Sequence, residues 1–509
     1  MPSETFHRDA VYGEDIANPW VAFVRMNALR RDAYGESRLS TMQTKQTPVL
    51  LLLLAASTVA LALASPCRAA DPGAKASPPA DGFWTKPDWL SDLSFAARES
   101  YDDNVFGVSG LGLQPKVSWV DSVSASVGLN LVPLLGPQKD IQALSLSYNP
   151  ERVVYESVSS QDYTANRVNA TLKGKAGRIS YSIVDAFLYN DGNKVAPTYA
   201  LNQLAGAAGN QNDKYRSNYA HGLARERLDQ VQDRYTASVQ FDGDGFFVRP
   251  VSQLTYYNLD TDLFNTSVAP YKGYQDYVDR YDVNGGLDFG VRLTPAIAVT
   301  LGYRDGYQHQ DQFALAINSD RHFSSNNYQR ALLGLEGKLA KWLTLKLAAG
   351  PDFRDYNPGT PISNLHTTRY YGEATATATL PGDQSLTLGY KQYLFVSSTG
   401  LVPYEDISGT LAYHWNATRQ VGVDLGAKYS EANYSLGNDT AGSAPSLRDD
   451  VDKNGSAGVS YAVTRQFILS VTYNYDYGFN NLGSLPASLF PGYRSLTHNV
   501  VALGAQYRF

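Results

Sequence analysis

The chain has 509 residues and a net charge of −6, from 43 Lys and Arg against 49 Asp and Glu. With no basic tract and no basic half, nucleic acid is not an expected partner. Its three Met (Met1, Met26, Met42) and its one Cys (Cys67) all lie before residue 70, so the rest of the chain has no thiol for a disulfide, a thiolate zinc site or a nucleophile.

Residues 1–41 are mixed in charge and unpatterned. They read as an upstream extension or as the result of a start codon set too early, with Met42 the true start; the second reading is preferred because export signals begin near an N-terminus. Residues 42–70 read as a cleaved signal peptide. Lys45 gives the positive start, Val49–Ala64 the apolar run, and Cys67-Arg68-Ala69 and Arg68-Ala69-Ala70 the candidate cleavage sites. Pro66, where a small residue is needed, argues against lipidation of Cys67. Residues 71–89 form a short Pro/Ala/Gly-rich leader, too short for a plug. No later run of about 18 apolar residues exists to make a transmembrane helix.

From residue 90 the chain repeats strand, tight turn, strand, longer loop. Tight turns fall at Pro133–Lys139, Gly174–Gly177, Asp242–Gly245, Thr294–Ala296, Ala340–Trp342, Pro381–Gln384, Asn416–Arg419 and Ala462–Arg465, most carrying the Gly, Pro, Asn and Asp that turns use. Longer polar segments lie near 105–115, 157–162, 190–229, 260–275, 310–326, 357–366, 397–404, 435–451 and 481–496. Eight turns alternating with nine loops make 17 connections and 18 strands, and one missed hairpin would make it 16 or 20.

The strands have two unlike faces. In Gln466–Asn480, Phe467, Leu469, Val471, Tyr473, Tyr475, Tyr477 and Phe479 alternate with Gln466, Ser470, Thr472, Asn474 and Asp476. Soluble sandwiches also alternate, but these strands run about ten to fifteen residues against the usual five or six. Their polar faces carry charges alongside Gly, Ser and Thr, which suits a wet lumen better than a packed core. The expected fold class is all-β: a transmembrane antiparallel up-and-down barrel of about 18 strands over residues 90–509.

The last stretch, Asn499–Phe509, places Val501, Leu503, Ala505, Tyr507 and Phe509 on one face. It resembles the terminal strand of bacterial outer-membrane β-barrels. The resemblance implies that Tyr507 and Phe509 form an assembly signal read by the barrel assembly machinery, and that this strand pairs with the one near Leu90–Tyr101. The stretch Leu93–Phe106, with Tyr101-Asp102-Asp103-Asn104-Val105 at its core, resembles the opening strand of the β-barrel porin-2 family. That family implies a multi-pass bacterial outer-membrane location, contact with lipid and lipopolysaccharide, and passive diffusion of small hydrophilic solutes, without catalytic residues or cofactors to carry over. A homo-trimer is one possible assembly.

Strand parity turns Lys173, Arg249, Asp288, Arg292, Arg304, Glu336, Lys338, Lys346, Glu373, Lys391, Asp424 and Lys428 inward as candidate pore-lining charges, with cations ahead. The longest loop, Asn190–Gln230, is similar in rank and length to the third loop of general porins. Its Lys214, Arg216, His221, Arg225 and Arg227 are constriction-loop candidates; the alternative is a surface flap. Asp450, Asp452, Asn454 and Gly455 match the first half of a calcium loop, but Tyr461 stands where the bidentate Glu must be, so loop and turn chemistry is the preferred explanation. His221, His309, His322, His366, His414 and His498 are scattered without metal spacing, and no enzyme, metal or cofactor is expected. Two functions compete with the porin. One is a barrel for export or anchoring of extracellular polysaccharide, in which Tyr257, Tyr393 and Phe395 stack on sugars. The other is an adhesin or structural barrel with a blocked lumen.

Overall fold

The computed structural model describes residues 86–105, 116–136, 140–192, 229–259, 279–311, 313–314, 321–322, 324–360, 362–396, 403–433, 449–481 and 495–509. Residues 1–85, and with them the extension, the signal peptide and most of the leader, lie outside this set.

The strands are β1 (Leu90–Asp102), β2 (Ser118–Asn130), β3 (Ile141–Tyr155), β4 (Tyr163–Ala176), β5 (Ile179–Asp191), β6 (Gln230–Asp242), β7 (Phe246–Leu259), β8 (Arg280–Thr294), β9 (Ile297–Gln310), β10 (Phe313–Ala314) and β11 (Arg321–His322). They continue as β12 (Asn326–Ala340), β13 (Leu343–Tyr356), β14 (His366–Leu380), β15 (Gln384–Phe395), β16 (Tyr404–Asn416), β17 (Val421–Asn433), β18 (Asp449–Ala462), β19 (Phe467–Asn481) and β20 (Ser495–Arg508). β10 and β11 form a separate two-residue ladder in the β9–β12 connection. The other 18 form one sheet in which each strand pairs antiparallel with its sequence neighbour. β1 pairs with β20 from Ser94↔Arg508 to Asp102↔Val500, so the sheet closes on itself.

Short and longer connections alternate as the sequence predicts except at the first expected tight turn: the β2–β3 connection spans 131–140, with a 3-10 turn at Val132–Leu135, and is longer than the β3–β4 connection at 156–162. In the three-residue β14–β15 turn, Pro381–Asp383, Gly382 (φ 76°) and Asp383 (φ 55°) both take the left-handed conformation that tight hairpin turns use. The strands of the barrel are 12 to 15 residues long. The outer face carries the apolar series: Leu287, Phe289, Val291 and Leu293 on β8, Leu301 and Tyr303 on β9, and Leu469, Val471, Tyr473 and Tyr475 on β19 are all exposed. On β20 the same holds for Val501, Leu503 and Tyr507, whereas Ala502 between them is buried. A soluble sheet would cover such a band; here it girdles the closed barrel, with Tyr and Trp toward the strand ends.

The structure corrects one expectation. Asp450, Asp452 and Asn454 belong to β18 and pair in register with Asn480, Gly478 and Asp476. Their spacing is the period of a strand, three successive residues of one face, and not loop or turn chemistry.

Candidate functional site

The inner face gathers the barrel's polar chemistry, distributed unevenly. Arg249 on β7 donates to Asp288 Oδ2 on β8 through Nε (3.1 Å) and grips both oxygens of Glu336 on β12 (2.9 Å each). Asp288 Oδ1 also accepts from Arg304 on β9 (2.7 Å). Two guanidiniums and two carboxylates thus neutralise one another across four neighbouring strands, in the bidentate geometry that makes such pairs specific.

Above this lies a second, drier cluster. Asp352 on β13 accepts from Arg330 Nε (3.1 Å) and from Arg354 Nε and Nη2 (2.9 and 2.8 Å); the Asp352 and Arg354 side chains have no exposed area. The Tyr328 ring lies under both cations, 4.1 Å from Arg330 Cζ and 4.3 Å from Arg354 Cζ, and its hydroxyl donates to Asp282 (2.6 Å). Gly306 on β9 makes room for this ring: a Cβ there would overlap it. Buried charge needs this degree of pairing, because desolvation otherwise outweighs the attraction.

The top of β15 reaches this cluster. The β14–β15 ladder runs from Leu380↔Gln384 to Gly372↔Gln392 and stops, although β15 continues to Phe395. Leu394 O then accepts from Gln308 Nε2 on β9 (3.1 Å) and Arg354 Nη2 (3.0 Å), and Val396 O from Arg280 Nη1 on β8 (2.6 Å). Arg280 also sits over the rings of Tyr257 (5.0 Å) and Phe395 (4.6 Å). Tyr257 on β7, Phe395, Tyr404 on β16 and Ala432 on β17 form one buried apolar cluster, with Tyr393 packed on it. Because six strands separate β7 from β16 in the sheet, this cluster crosses the bore. The faces of Tyr257, Tyr393 and Phe395 are therefore taken by one another and by Arg280, which removes them as open stacking platforms for a sugar.

The opposite arc is lined by small groups. Ser94, Ala96, Ser124, Ser126 and Gln506 border a recess with the Glu151–Arg167 pair (2.8 Å). Registers such as Gly426↔Ser456, Gly458↔Thr472 and Ser470↔Gly504 continue that lining across β17–β20.

At the seam, His498 on β20 is buried between Asp102 on β1 (Nε2 to Oδ1, 2.8 Å) and Asp476 on β19 (Nδ1 to Oδ2, 3.1 Å). Asp102, Asp103 and His498 offer ligand atoms within 4.8 Å of one another. Both ring nitrogens are already engaged, however, and both Asp103 oxygens accept from Asn499 (2.7 Å each). The arrangement is that of a clasp between first and last strands. Sequence reading missed it because the partners are 396 residues apart and only closure joins them.

Among the sequence candidates, Arg249, Asp288, Arg304 and Glu336 come together in the lower network. Arg292 lies at the turn end beside Asp242 and Phe246 O (3.0 Å). Register places Lys346 opposite Glu336 and Lys391 opposite Glu373 on the inner face; Lys338 pairs opposite Thr344. Asp424 bonds His414 (2.7 Å), and Lys428 faces Asn454 in register. Lys338, Lys346, Lys391, Asp424 and Lys428 are all exposed. Lys214, Arg216, His221, Arg225 and Arg227 lie outside the described residues, as does most of the third loop. Among the described residues the inward segment is the top of β15, which sequence reading did not single out. Tyr507 and Phe509 flank the seam: Phe509 packs edge-on to Phe95 (6.0 Å) and Tyr507 (4.9 Å), and its N–H donates to Leu93 O (3.0 Å).

No protein-family model matches the chain, and no curated protein matches it by sequence. Among solved structures it is similar to OccK3 (OpdO) of Pseudomonas aeruginosa, with 12% identity over 82% of this chain and 96% of that one, at a TM-score of 0.38. OccK2 (OpdF) of Pseudomonas aeruginosa, solved in complex with glucuronate, matches at 10% identity over 83% and 99%, with a TM-score of 0.37. OmpT of Vibrio cholerae matches at 12% identity over 84% and 99%, with a TM-score of 0.27.

Proposed function

We propose that the chain is an outer-membrane porin, a water-filled channel for passive diffusion of small hydrophilic solutes. The observation that carries this reading is the contrast between the two faces of one closed sheet. The outer face is a band of Leu, Val, Phe and Tyr exposed to whatever surrounds the barrel. The inner face bears Lys338, Lys346, Lys391, Asp424 and Lys428, exposed charges that only a wet bore accommodates. Four of these five are cations, which supports a weak preference for anions. The bridge from Tyr257 to Tyr404 supports a bore narrowed on the β7–β16 arc, with solutes passing along the small-residue arc. Lipid and lipopolysaccharide would cover the outer band, β20 would present Tyr507 and Phe509 to the assembly machinery, and a homo-trimer fits the same reading.

Purified barrels added to a planar lipid bilayer test it. Discrete, voltage-independent conductance steps at low potential are expected, with a reversal potential in a salt gradient that favours anions slightly. Inserted barrels that pass no current would instead favour the adhesin or structural reading.

A further inference from the structure

β14 offers an edge that β15 does not use. It runs up to His366, but only Gly372–Leu380 pair with β15; His366–Tyr371 pair with β13 alone. Continuing the existing register by three steps would bring Tyr371 opposite Tyr393, Tyr370 opposite Leu394 and Arg369 opposite Phe395. The faces agree with that continuation. Leu386, Leu388 and Tyr390 alternate outward along β15, and Leu394 holds the same parity. Tyr370, which it would join, is 75% exposed, with nothing of β15 beside it. In the structure Leu394 is instead fully buried against Tyr356 and Ile362.

Two of the three groups that hold β15 inward, Arg354 and Gln308, also keep other partners. Arg354 is held by Asp352 and by Asn326 Oδ1 (2.8 Å), and Gln308 Nε2 by Asp282 Oδ2 (2.6 Å), whether or not Leu394 O is present. Releasing β15 strips Arg354 and Gln308 of one acceptor each without leaving them bare, whereas Arg280 gives up its bond to Val396 O and keeps its place over the Tyr257 ring. A second position on β14 would recover backbone pairing at the expense of the apolar packing of Leu394 and Phe395.

We propose that the top of β15, Tyr393–Phe395, has two seats: the inner seat on Arg280, Gln308 and Arg354, and a wall seat zipped onto Arg369–Tyr371 of β14, in which the bore is wider. The proposal deepens the channel reading and rests on it only for the consequence of the movement.

A cysteine pair tests the seat itself. Tyr371→Cys with Tyr393→Cys is placed at directly opposed positions of the wall seat. Glu373→Cys with Lys391→Cys, the adjacent pair of the same kind in the existing ladder, serves as the control for folding and oxidation. Under mild oxidation of folded barrels in lipid, both pairs are expected to cross-link. Cross-linking of Tyr371→Cys/Tyr393→Cys is expected to raise single-channel conductance roughly twofold, reversed by a thiol reductant, since the bridge leaves the bore. A control that cross-links beside a test pair that does not would overturn the wall seat. A cross-linked test pair with unchanged conductance would overturn its role in the bore. The cross-link is read on a gel, so barrels that never conduct would remove the channel reading while the gel still decides whether the wall seat exists.

Discussion

The two arcs of the barrel are built from one backbone plan and treat water in opposite ways. On the β7–β16 arc the inner face is filled with Arg, Asp, Glu and Tyr, and much of it is dry: Asp352, Arg354, Tyr328, Gln308 and Leu394 are almost or wholly buried. On the β17–β4 arc, apart from the buried Asp102–His498–Asp476 clasp, the same face holds Ser, Ala and Gly beside the exposed Asp424 and Lys428, and its Glu151–Arg167 pair is partly solvated. Charge thus does different work on each side. In the first arc it is structural, since a buried ion pair must be matched closely to exist at all. In the second, away from the clasp, it is close to the ordinary surface regime, where a pair contributes little. The count of inward charges along the sequence therefore overstates what a passing solute meets.

Replacing one partner on each side separates the two regimes. Arg354→Leu leaves Asp352 with Arg330 alone in a dry site, and a loss of about 3 kcal/mol is expected in urea unfolding of the refolded barrel in detergent. Arg167→Leu on the other arc should lose less than about 1 kcal/mol. Equal losses would mean the arcs do not differ as described. Bulk distinguishes them in the other direction. Ser126→Trp, facing the recess, is expected to lower single-channel conductance to roughly half, because it fills the arc left open to solutes. If current is unaffected by Ser126→Trp, the path does not run there.

The seam, which lies within the β17–β4 arc, gives a smaller effect. Phe509→Ala and Phe95→Ala each remove the edge-to-face contact between these two rings, and a coupling of about 1 kcal/mol is expected from the double-mutant cycle of heat-induced unfolding on gels. Phe509→Ala should also reduce the fraction of protein that inserts more than it alters the conductance of what does insert. The smallest change is electrostatic. Lys346→Glu, exposed on the inner face, should shift the reversal potential toward cations by a few millivolts, with stability unaltered within about 0.5 kcal/mol. A larger shift from Arg249→Gln than from Lys346→Glu would show that the paired network, and not the exposed cations, governs passing ions.

The fold was legible because a strand wall writes its period directly into the sequence. Leu301 and Tyr303 against Gly302 and Arg304 need no tertiary knowledge, and turns such as Pro381–Gln384 declare themselves by the left-handed conformation they demand. The interior was legible only as a set of inward positions. Parity placed Arg249, Asp288, Arg304 and Glu336 on one face, but no local rule said that they bind one another across β7, β8, β9 and β12. Tyr257 and Phe395 looked like open platforms for the same reason: their occupant, Arg280, comes from another strand. The inward turn of β15 leaves no trace at all in alternation, since Leu394 keeps the parity of a residue in a flat wall. A departure from regularity imposed by distant side chains is invisible to a reading made one strand at a time.

The clasp of Asp102, His498 and Asp476 bears on how the barrel is born. Neighbouring strands elsewhere follow one another directly in chain order, so each hairpin can form while the next is still being delivered. The clasp cannot: its two outer members belong to the first and the penultimate strand, and its middle member to the last. Unlike the Arg249 and Asp352 clusters, it records completion. A barrel lacking it should assemble all its hairpins yet linger as an open sheet with both edges bare, and time to closure, followed by cross-linking β1 to β20, is where a His498→Ala barrel should fall behind.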